Sequence, residues 1–120
     1  VKSVQVIGEV KGKDVIIVDD LIDTGGTISM ASKVLMEKGA KSVRALITHP
    51  ILSGNADENI TNSALTELVV TDTIPLKFRN KKIKVLSIAE LFAKAIRKIH
   101  ENESTSSLFL TDKFSNYEND

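Results

Sequence analysis

Apolar and polar positions fall along the chain in blocks that predict strands separated by helices and turns. The run VIIV at 15–18 has no polar alternation, which is typical of a strand buried on both faces of a parallel sheet. Other runs rich in Val, Ile and Leu are bounded by glycine, proline or polar turn residues. The strands predicted in this way cover residues 3–10, 15–18, 42–48, 69–71 and 83–88.

Two longer segments place apolar residues at helical spacing, and a third is shorter. Helices are predicted for Thr27–Lys38, which Gly39 follows as a C-cap, and for Ala89–His100. Residues 51–68 are predicted to form a loop followed by a short helix. Alternating strands and helices predict an α/β fold with a mainly parallel sheet flanked by helices. We expect one domain over residues 1–110 and a disordered polar tail over 111–120.

The composition of the chain argues against nucleic-acid and membrane partners. The chain has 120 residues, with 16 basic and 16 acidic side chains and a net charge of zero. A neutral domain lacks the positive field of general nucleic-acid binding, so no nucleic-acid partner is expected. It has no cysteine, which is compatible with the cytoplasm. No apolar run reaches the roughly 20 residues of a membrane span and no signal peptide is recognised, so no membrane partner is expected.

The segment DDLIDTGGT at 19–27 carries the candidate chemistry. It follows a predicted strand and opens a helix, which is where ligands bind in open α/β sheets. Its glycines, its threonine hydroxyls and the helix start together offer donors for a phosphate. The pattern is not that of an ATP P-loop, which needs Gly-Lys followed by Ser or Thr.

The carboxylates of the same segment suit a different group. Carboxylate oxygens accept hydrogen bonds, so Asp19 and Asp20 suit the hydroxyls of a sugar diol. A strand end that enters a turn would let both side chains reach one ligand. A sugar phosphate therefore matches the whole stretch. The residue types alone are equally compatible with a structural role, since Asp forms turns and helix caps and Gly-Gly forms turns.

The full order V-I-I-V-D-D-x-I-D-T-x-G-T at 15–27 resembles the phosphoribosyl diphosphate (PRPP) motif. Type I phosphoribosyltransferases and ribose-phosphate diphosphokinases (PRPP synthetases) share this motif. Further segments look like PRPP synthetase, in that family's order: VKGKDVIIVDD, KGAKSVRALITHPILSG, NSALTELVVTDTIP and KIKVLSIAELFAKAIRKIHENESTSSLF. The resemblance runs from about residue 6 to Phe109 and implies a type I phosphoribosyltransferase-like fold.

The resemblance implies an enzyme that transfers the diphosphate of ATP to O1 of ribose 5-phosphate, with Mg²⁺, to give PRPP and AMP. By this resemblance, Asp19 and Asp20 would hold the ribose hydroxyls. The family varies at the position of Gly25, so that residue has a weaker claim to a specific role. The residues that would wrap the 5-phosphate are Asp23, Thr24, Gly25, Gly26 and Thr27.

The resemblance also implies what lies outside this chain. In PRPP synthetases the catalytic Lys and Arg, the ATP contacts and much of the metal site lie upstream of the matching segment. We therefore expect a carboxyl-terminal part, incomplete at its N-terminal end, with no catalytic residue and no metal ligand of its own. The family forms dimers that assemble into hexamers, so the parent is expected to be a homo-oligomer.

A second anion site and two alternative functions also follow from the resemblance. Ser104, Thr105 and Ser106 match a stretch that contributes to a regulatory phosphate or nucleotide site in the family, although a solvated turn is nearly as good an explanation. One alternative is a type I phosphoribosyltransferase, which the segments after residue 42 argue against. The other is a non-catalytic PRPP synthetase homologue that regulates an active partner, which the upstream catalytic loop would distinguish.

Overall fold

Four parallel strands form the sheet of the computed structural model, which describes residues 4–109. The strands lie side by side in chain order. Their bounds are β1 (Asp14–Ile22), β2 (Ser42–Pro50), β3 (Glu67–Thr71) and β4 (Ile83–Leu86). The parallel sheet and the α/β class predicted from the sequence are confirmed.

Helices form two of the connections between these strands. Helix α1 (Gly26–Glu37) joins β1 to β2, and α2 (Ala56–Asn62) joins β2 to β3. Both connections advance in the same direction across the sheet, so right-handed crossovers place their helices on one face. The two helices contact each other, and the Ser29 hydroxyl of α1 donates to the Asn59 carbonyl oxygen of α2 at 3.0 Å.

The core lies between the sheet and these two helices. On β2 the side chains of Val43, Ala45 and Ile47 are at most 1% exposed, since every second residue of a strand points to the same face. They form one cluster with apolar residues of the helices and the neighbouring strands, which include Ile28, Leu35, Ile60, Leu68 and Val70. The core is therefore a single layer of branched side chains on one face of the sheet.

The opposite face of β1 is exposed. Ile16 and Val18 are 63% and 71% exposed, whereas Val15 and Ile17 pack against the core. The expectation that 15–18 is buried on both faces is therefore wrong for this structure. The physical reason is that α1 and α2 cover only one face of the sheet; Leu46 on the inner strand β2 is likewise 42% exposed.

Several strand bounds differ from the prediction. Strand β2 ends at Pro50 rather than residue 48, β3 begins at Glu67 rather than residue 69, and β4 ends at Leu86 rather than residue 88. Residues 4–10 form no strand; they lead into a turn in which the Gly12 N–H donates to the Gly39 carbonyl oxygen at 2.8 Å. Residue 3 of that predicted strand lies outside the described residues. Strand β1 continues to Ile22 rather than ending at residue 18, because β2 offers partners as far as the pair Ile22 and Pro50.

The chain divides into two units, Val1–Leu86 and Ser87–Asp120. The second unit contains helix α3 (Ala89–His100) and a 3-10 helix over Ser106–Phe109. Helix α3 has the bounds predicted from its apolar spacing and carries a Glu90–Lys94 ion pair of 3.1 Å. None of the helices in residues 4–109 is long and apolar enough to cross a membrane. The predicted tail at 111–120 lies outside the described residues.

The side chain of Asn80 connects the β3–β4 loop to α2. The amide nitrogen of Asn80 donates to Asp57 Oδ1 at 2.7 Å and to Thr61 Oγ1 at 2.9 Å. Its amide oxygen accepts the Lys82 N–H at 2.9 Å. Asn80 thus holds the loop against the helix immediately before β4 begins.

We predict that Asn80→Ala lowers the free energy of unfolding by about 0.5–1.5 kcal/mol, because it removes hydrogen bonds between partly exposed groups, whose net contribution is of that size. Urea unfolding followed by far-UV circular dichroism measures this change. The matched control is Asn62→Ala, because Asn62 is exposed and makes no side-chain hydrogen bond within residues 4–109. Equal stability of the two variants would contradict the prediction.

Candidate functional site

Of the adjacent acids Asp19 and Asp20 on strand β1, one lines a cavity. Ile17, Asp19 and Leu21 are alternate residues of the strand and line the same cavity. Asp20, which lies between them, is not in the lining; its N–H donates to Asp19 Oδ1 at 2.8 Å. The two acids were expected beyond the end of the strand, but they lie within it and alternate about its faces. The structure therefore brings Asp19, and not Asp20, to the cavity.

The cavity combines polar groups with an apolar floor. It has a volume of about 310 Å³ and lies where β1 passes into α1. Ile22, Ile28 and Ile47 form part of the floor. The residues predicted to wrap a phosphate all line it: Asp23, Thr24, Gly25, Gly26 and Thr27. Six of the seven residues predicted to bind the sugar phosphate thus border one space.

The loop that runs from β1 into the first turn of α1, residues 23–27, supplies hydrogen-bond donors from its backbone. Gly25 is the N-cap residue of α1 and has φ +78°, in the left-handed region that glycine enters without strain. The first N–H groups of a helix have no partner within the helix. Gly26 N–H lies 3.5 Å from Thr24 Oγ1, and the Gly25 N–H donates to no acceptor within residues 4–109. No acidic residue occupies the first turn of α1, so this end of the helix favours an anion.

The segment after β2 supports the loop from one side. The Asn59 amide donates to the Thr24 carbonyl oxygen at 2.8 Å. Ile60 is fully buried, and its Cδ1 would lie 3.1 Å from a Cβ placed on Gly25. The loop is thus held by a hydrogen bond and by direct packing, both from α2.

A serine from the same segment contacts the acid of the loop. The Ser53 hydroxyl donates to Asp23 Oδ1. Leu52, just before it, is buried and has φ +51°, a conformation that costs free energy for a branched residue. This turn redirects the chain after β2 so that Ser53 reaches the loop. Because a hydroxyl engages the Asp23 carboxylate, that acid acts within the loop as a structural acceptor.

Sequence reasoning missed Ser53 and Asn59. Both lie in 51–68, which was predicted only as a loop and a short helix. Their partners, Asp23 and Thr24, are 30 and 35 residues away in the chain. No local pattern signals such contacts, which depend on β2 returning the chain beside the loop.

The charges around the cavity are acidic rather than basic. Asp19 and Asp23 are its charged residues, and no Lys or Arg is among the described residues that line it. Within residues 4–109 no three His, Cys, Asp or Glu side chains gather as a metal site would require. An anion here would be bound by neutral donors, namely backbone N–H groups and hydroxyls, while Asp19 would accept from a hydroxyl-bearing part of the same ligand.

The predicted regulatory residues form a local turn in the second unit. Ser104 Oγ and Ser106 Oγ are 2.6 Å apart, and the Ser106 N–H donates to Ser104 Oγ at 3.2 Å. The Thr105 carbonyl oxygen accepts the Leu108 N–H at 3.0 Å. Their predicted role in anion binding stays a prediction, since these contacts suit a capped turn equally well.

Residues 2–110 match the family model described as the phosphoribosyl synthetase-associated domain. The chain is 59% identical over 105 residues to the ribose-phosphate pyrophosphokinase of Wolinella succinogenes, and 58% identical over 105 residues to that of Campylobacter jejuni. Each alignment covers 88% of this chain and 34% of the relative. The chain thus spans about a third of the length of the curated relatives it matches.

A solved structure gives the same picture of the fold. The crystal structure of phosphoribosylpyrophosphate synthetase from Mycobacterium smegmatis matches with a TM-score of 0.77 and 45% identity. The alignment covers 80% of this chain and 33% of that one. The type I phosphoribosyltransferase-like fold predicted from the sequence is confirmed by this likeness.

We predict that Gly26→Ala weakens phosphate binding without destabilising the fold. Gly26 is not in the left-handed region, and the nearest atom to an added Cβ is Thr24 Oγ1 at 3.7 Å. The fold therefore has room for the methyl group. The methyl group would, however, lie beside the Thr24 hydroxyl, one of the donors of residues 23–27 that we call the phosphate cradle. Losing one hydrogen bond to the anion costs about 1 kcal/mol, or about fivefold in Kd. Amide NMR titration with inorganic phosphate measures the affinity.

Gly12→Ala is the control, and it is expected to lower stability without changing phosphate affinity. Gly12 has φ +72° and lies outside the cavity lining, so alanine there costs about 1 kcal/mol of stability and leaves phosphate affinity unchanged. Phosphate binding by Gly26→Ala equal to that of the unaltered chain would contradict the proposed cradle.

Proposed function

The chain belongs to the phosphoribosyl synthetase-associated domain family, and from this membership we propose that it is the ribose 5-phosphate-binding part of a ribose-phosphate diphosphokinase. The enzyme breaks the bond between the α- and β-phosphates of ATP and forms a bond from the β-phosphorus to O1 of ribose 5-phosphate. The O1 proton leaves, and the products are AMP and PRPP, which serves nucleotide biosynthesis.

One observation carries the proposal: an acid and a neutral anion cradle border the same cavity. Asp19 suits the sugar hydroxyls, and the loop from Asp23 to Thr27 offers donors to a phosphate. Asp19 would add no affinity for an inorganic anion, and the cradle would add no affinity for an unphosphorylated sugar. A sugar phosphate uses both.

Asp20 differs from Asp19 in its position on β1. Its side chain leaves β1 on the other face from Asp19, since adjacent strand residues alternate. For both acids to hold the ribose hydroxyls, the sugar must lie across the carboxyl edge of β1 rather than wholly inside the cavity. Asp23 contributes the backbone of the cradle, because Ser53 already engages its carboxylate.

The proposed reaction uses Mg²⁺, which takes oxygen ligands and is commonly held by carboxylates together with substrate phosphates. Within residues 4–109 no three metal-ligating side chains lie together, and Asp19 and Asp20 are proposed to hold the ribose hydroxyls. The ligands of Mg²⁺ would therefore come from the substrates and from residues outside this chain. When bound, Mg²⁺ would neutralise the charge of the transferring diphosphate.

We propose further that catalysis needs a longer polypeptide. Diphosphoryl transfer needs cations near the transferring group, and no Lys or Arg is among the described residues that line the cavity. The relatives are about three times as long as the matched segment. The exposed Ile16 and Val18 offer an apolar surface that such a polypeptide would cover.

The regulatory and assembly roles complete the proposal. The Ser104–Ser106 turn would contribute to a phosphate or nucleotide effector site, and the parent would be a homo-oligomer of dimers that form a hexamer. The close Ser104 and Ser106 hydroxyls support the first role, since both could turn toward an anion.

We predict that the 120-residue chain alone forms no PRPP from ATP and ribose 5-phosphate, whereas the full-length protein that carries it does. The physical reason is that the chain supplies the acceptor site without the cations that stabilise the diphosphate. Coupled detection of AMP release measures both. Clear turnover by the chain alone would contradict the division of the site.

We also predict that Asp19→Asn in the full-length protein lowers kcat/KM for ribose 5-phosphate by about tenfold or more, because a hydrogen bond to a charged acceptor is worth about 1.5–3 kcal/mol. Steady-state kinetics with ribose 5-phosphate varied at saturating ATP measure this. The control is Asp14→Asn at the other end of β1, where Asp14 Oδ1 accepts from Ser42 Oγ at 2.6 Å. An unchanged kcat/KM in Asp19→Asn would refute the role of this acid.

A further inference from the structure

Two groups of Asn59 in α2 make hydrogen bonds, one to the loop and one to α1. Its side-chain amide nitrogen donates to the Thr24 carbonyl oxygen at 2.8 Å, and its backbone carbonyl oxygen accepts the Ser29 hydroxyl at 3.0 Å. The first contact reaches the loop and the second reaches α1 one turn later. We infer that Asn59 is a positioning residue for the phosphate cradle: it orients a backbone donor of the loop without touching the ligand. This inference rests on the proposed function and extends it.

The orientation follows from the geometry of one peptide group. The C=O of Thr24 and the N–H of Gly25 belong to the same planar trans unit, so they point in opposite directions. Because the carbonyl is held toward Asn59, the N–H is directed away from α2. Gly25 lines the cavity, and its N–H donates to no acceptor within residues 4–109. The hydrogen bond from Asn59 therefore presents an unpaired donor to a bound anion.

Glycine at position 25 makes such a support necessary. A glycine loses more conformational freedom on ordering than any other residue, and a peptide beside it can rotate at little cost. Gly25 has φ +78° and no side chain to fix it. Ile60 limits the space on one side of its Cα, but packing alone does not set the direction of the N–H. The Asn59 amide supplies the directional contact.

A purely structural role for Asn59 makes a different prediction. If the Asn59 side chain only fastened α2 to the loop, its loss would lower stability and leave the affinity of folded molecules unchanged. If it orients the cradle, its loss also weakens binding of ligands that carry a phosphate. Ribose 5-phosphate and ribose-free inorganic phosphate would both be affected, since both use the cradle. ATP, which is proposed to bind elsewhere, would not.

The experiment measures ligand affinity in the full-length protein. Isothermal titration with ribose 5-phosphate, with inorganic phosphate and with ATP is performed on the unaltered protein and on two variants. Asn59→Ala removes the donor and the side chain, while Asn59→Leu keeps a similar shape and removes the donor without adding a charge. We expect both to raise Kd for ribose 5-phosphate and for inorganic phosphate about tenfold, with Kd for ATP changed less than about twofold. Asn62→Ala, on the same helix, is expected to match the unaltered protein.

The outcomes separate this inference from the proposed function. Unchanged ribose 5-phosphate affinity in Asn59→Leu, in a protein that unfolds at the same temperature as the unaltered one, would overturn the inference alone. An equal loss of affinity for ATP would also overturn it, because the effect would then be general. If Asn59→Ala does not fold, the Asn59→Leu comparison decides. Failure of the unaltered protein to bind ribose 5-phosphate would overturn the proposed function together with the inference.

Discussion

The parallel pairing of β1 with β2 through Ile22 and Pro50 is the constraint on which the rest of the site depends. It keeps β1 extended past Asp19, so that alternate side chains reach the cavity. It also fixes where β2 ends, since the Ile51 N–H donates back to the Ile22 carbonyl oxygen at 3.0 Å. From that point the chain turns at Leu52 and brings α2 against the loop. The strand pairing thus sets the distance between the acid and the cradle.

Much of this arrangement could be predicted from local patterns. Helix α3 was predicted at its observed bounds and α1 within one residue at each end, because apolar spacing marks both amphipathic helices and a following glycine marks the end of α1. The parallel sheet was predictable from the order of strands and helices. The six cavity-lining residues were predictable because strand, acids and Gly-Gly turn are contiguous in the chain.

The strand ends and the residues that support the loop depended on contacts between residues far apart in the chain. The extension of β1 to Ile22 needs the partner strand, and apolarity alone suggested an end at residue 18. The run 3–10 has strand-like composition, yet Gly8 at φ +101° lies in it and Val6 and Val10 pack against the core without forming a ladder. Ser53 and Asn59 have no local signal, since each is defined by a partner at least 30 residues away. Tertiary context therefore decided the strand ends and the residues that support the loop.

No Lys or Arg is among the described residues that line the cavity, and this has a consequence for the timing of the proposed reaction. Backbone amides and hydroxyls hold a phosphate less tightly than ion pairs with Lys or Arg would, because they carry no positive charge. Because differences in affinity among related complexes lie mostly in the dissociation rate, such a cradle favours rapid exchange of its occupant. The substrate and the product carry the same 5-phosphate, so a cationic grip would retain one as firmly as the other. A cradle of Gly25, Gly26 and Thr27 can admit the sugar and then release it quickly once its other end has been modified.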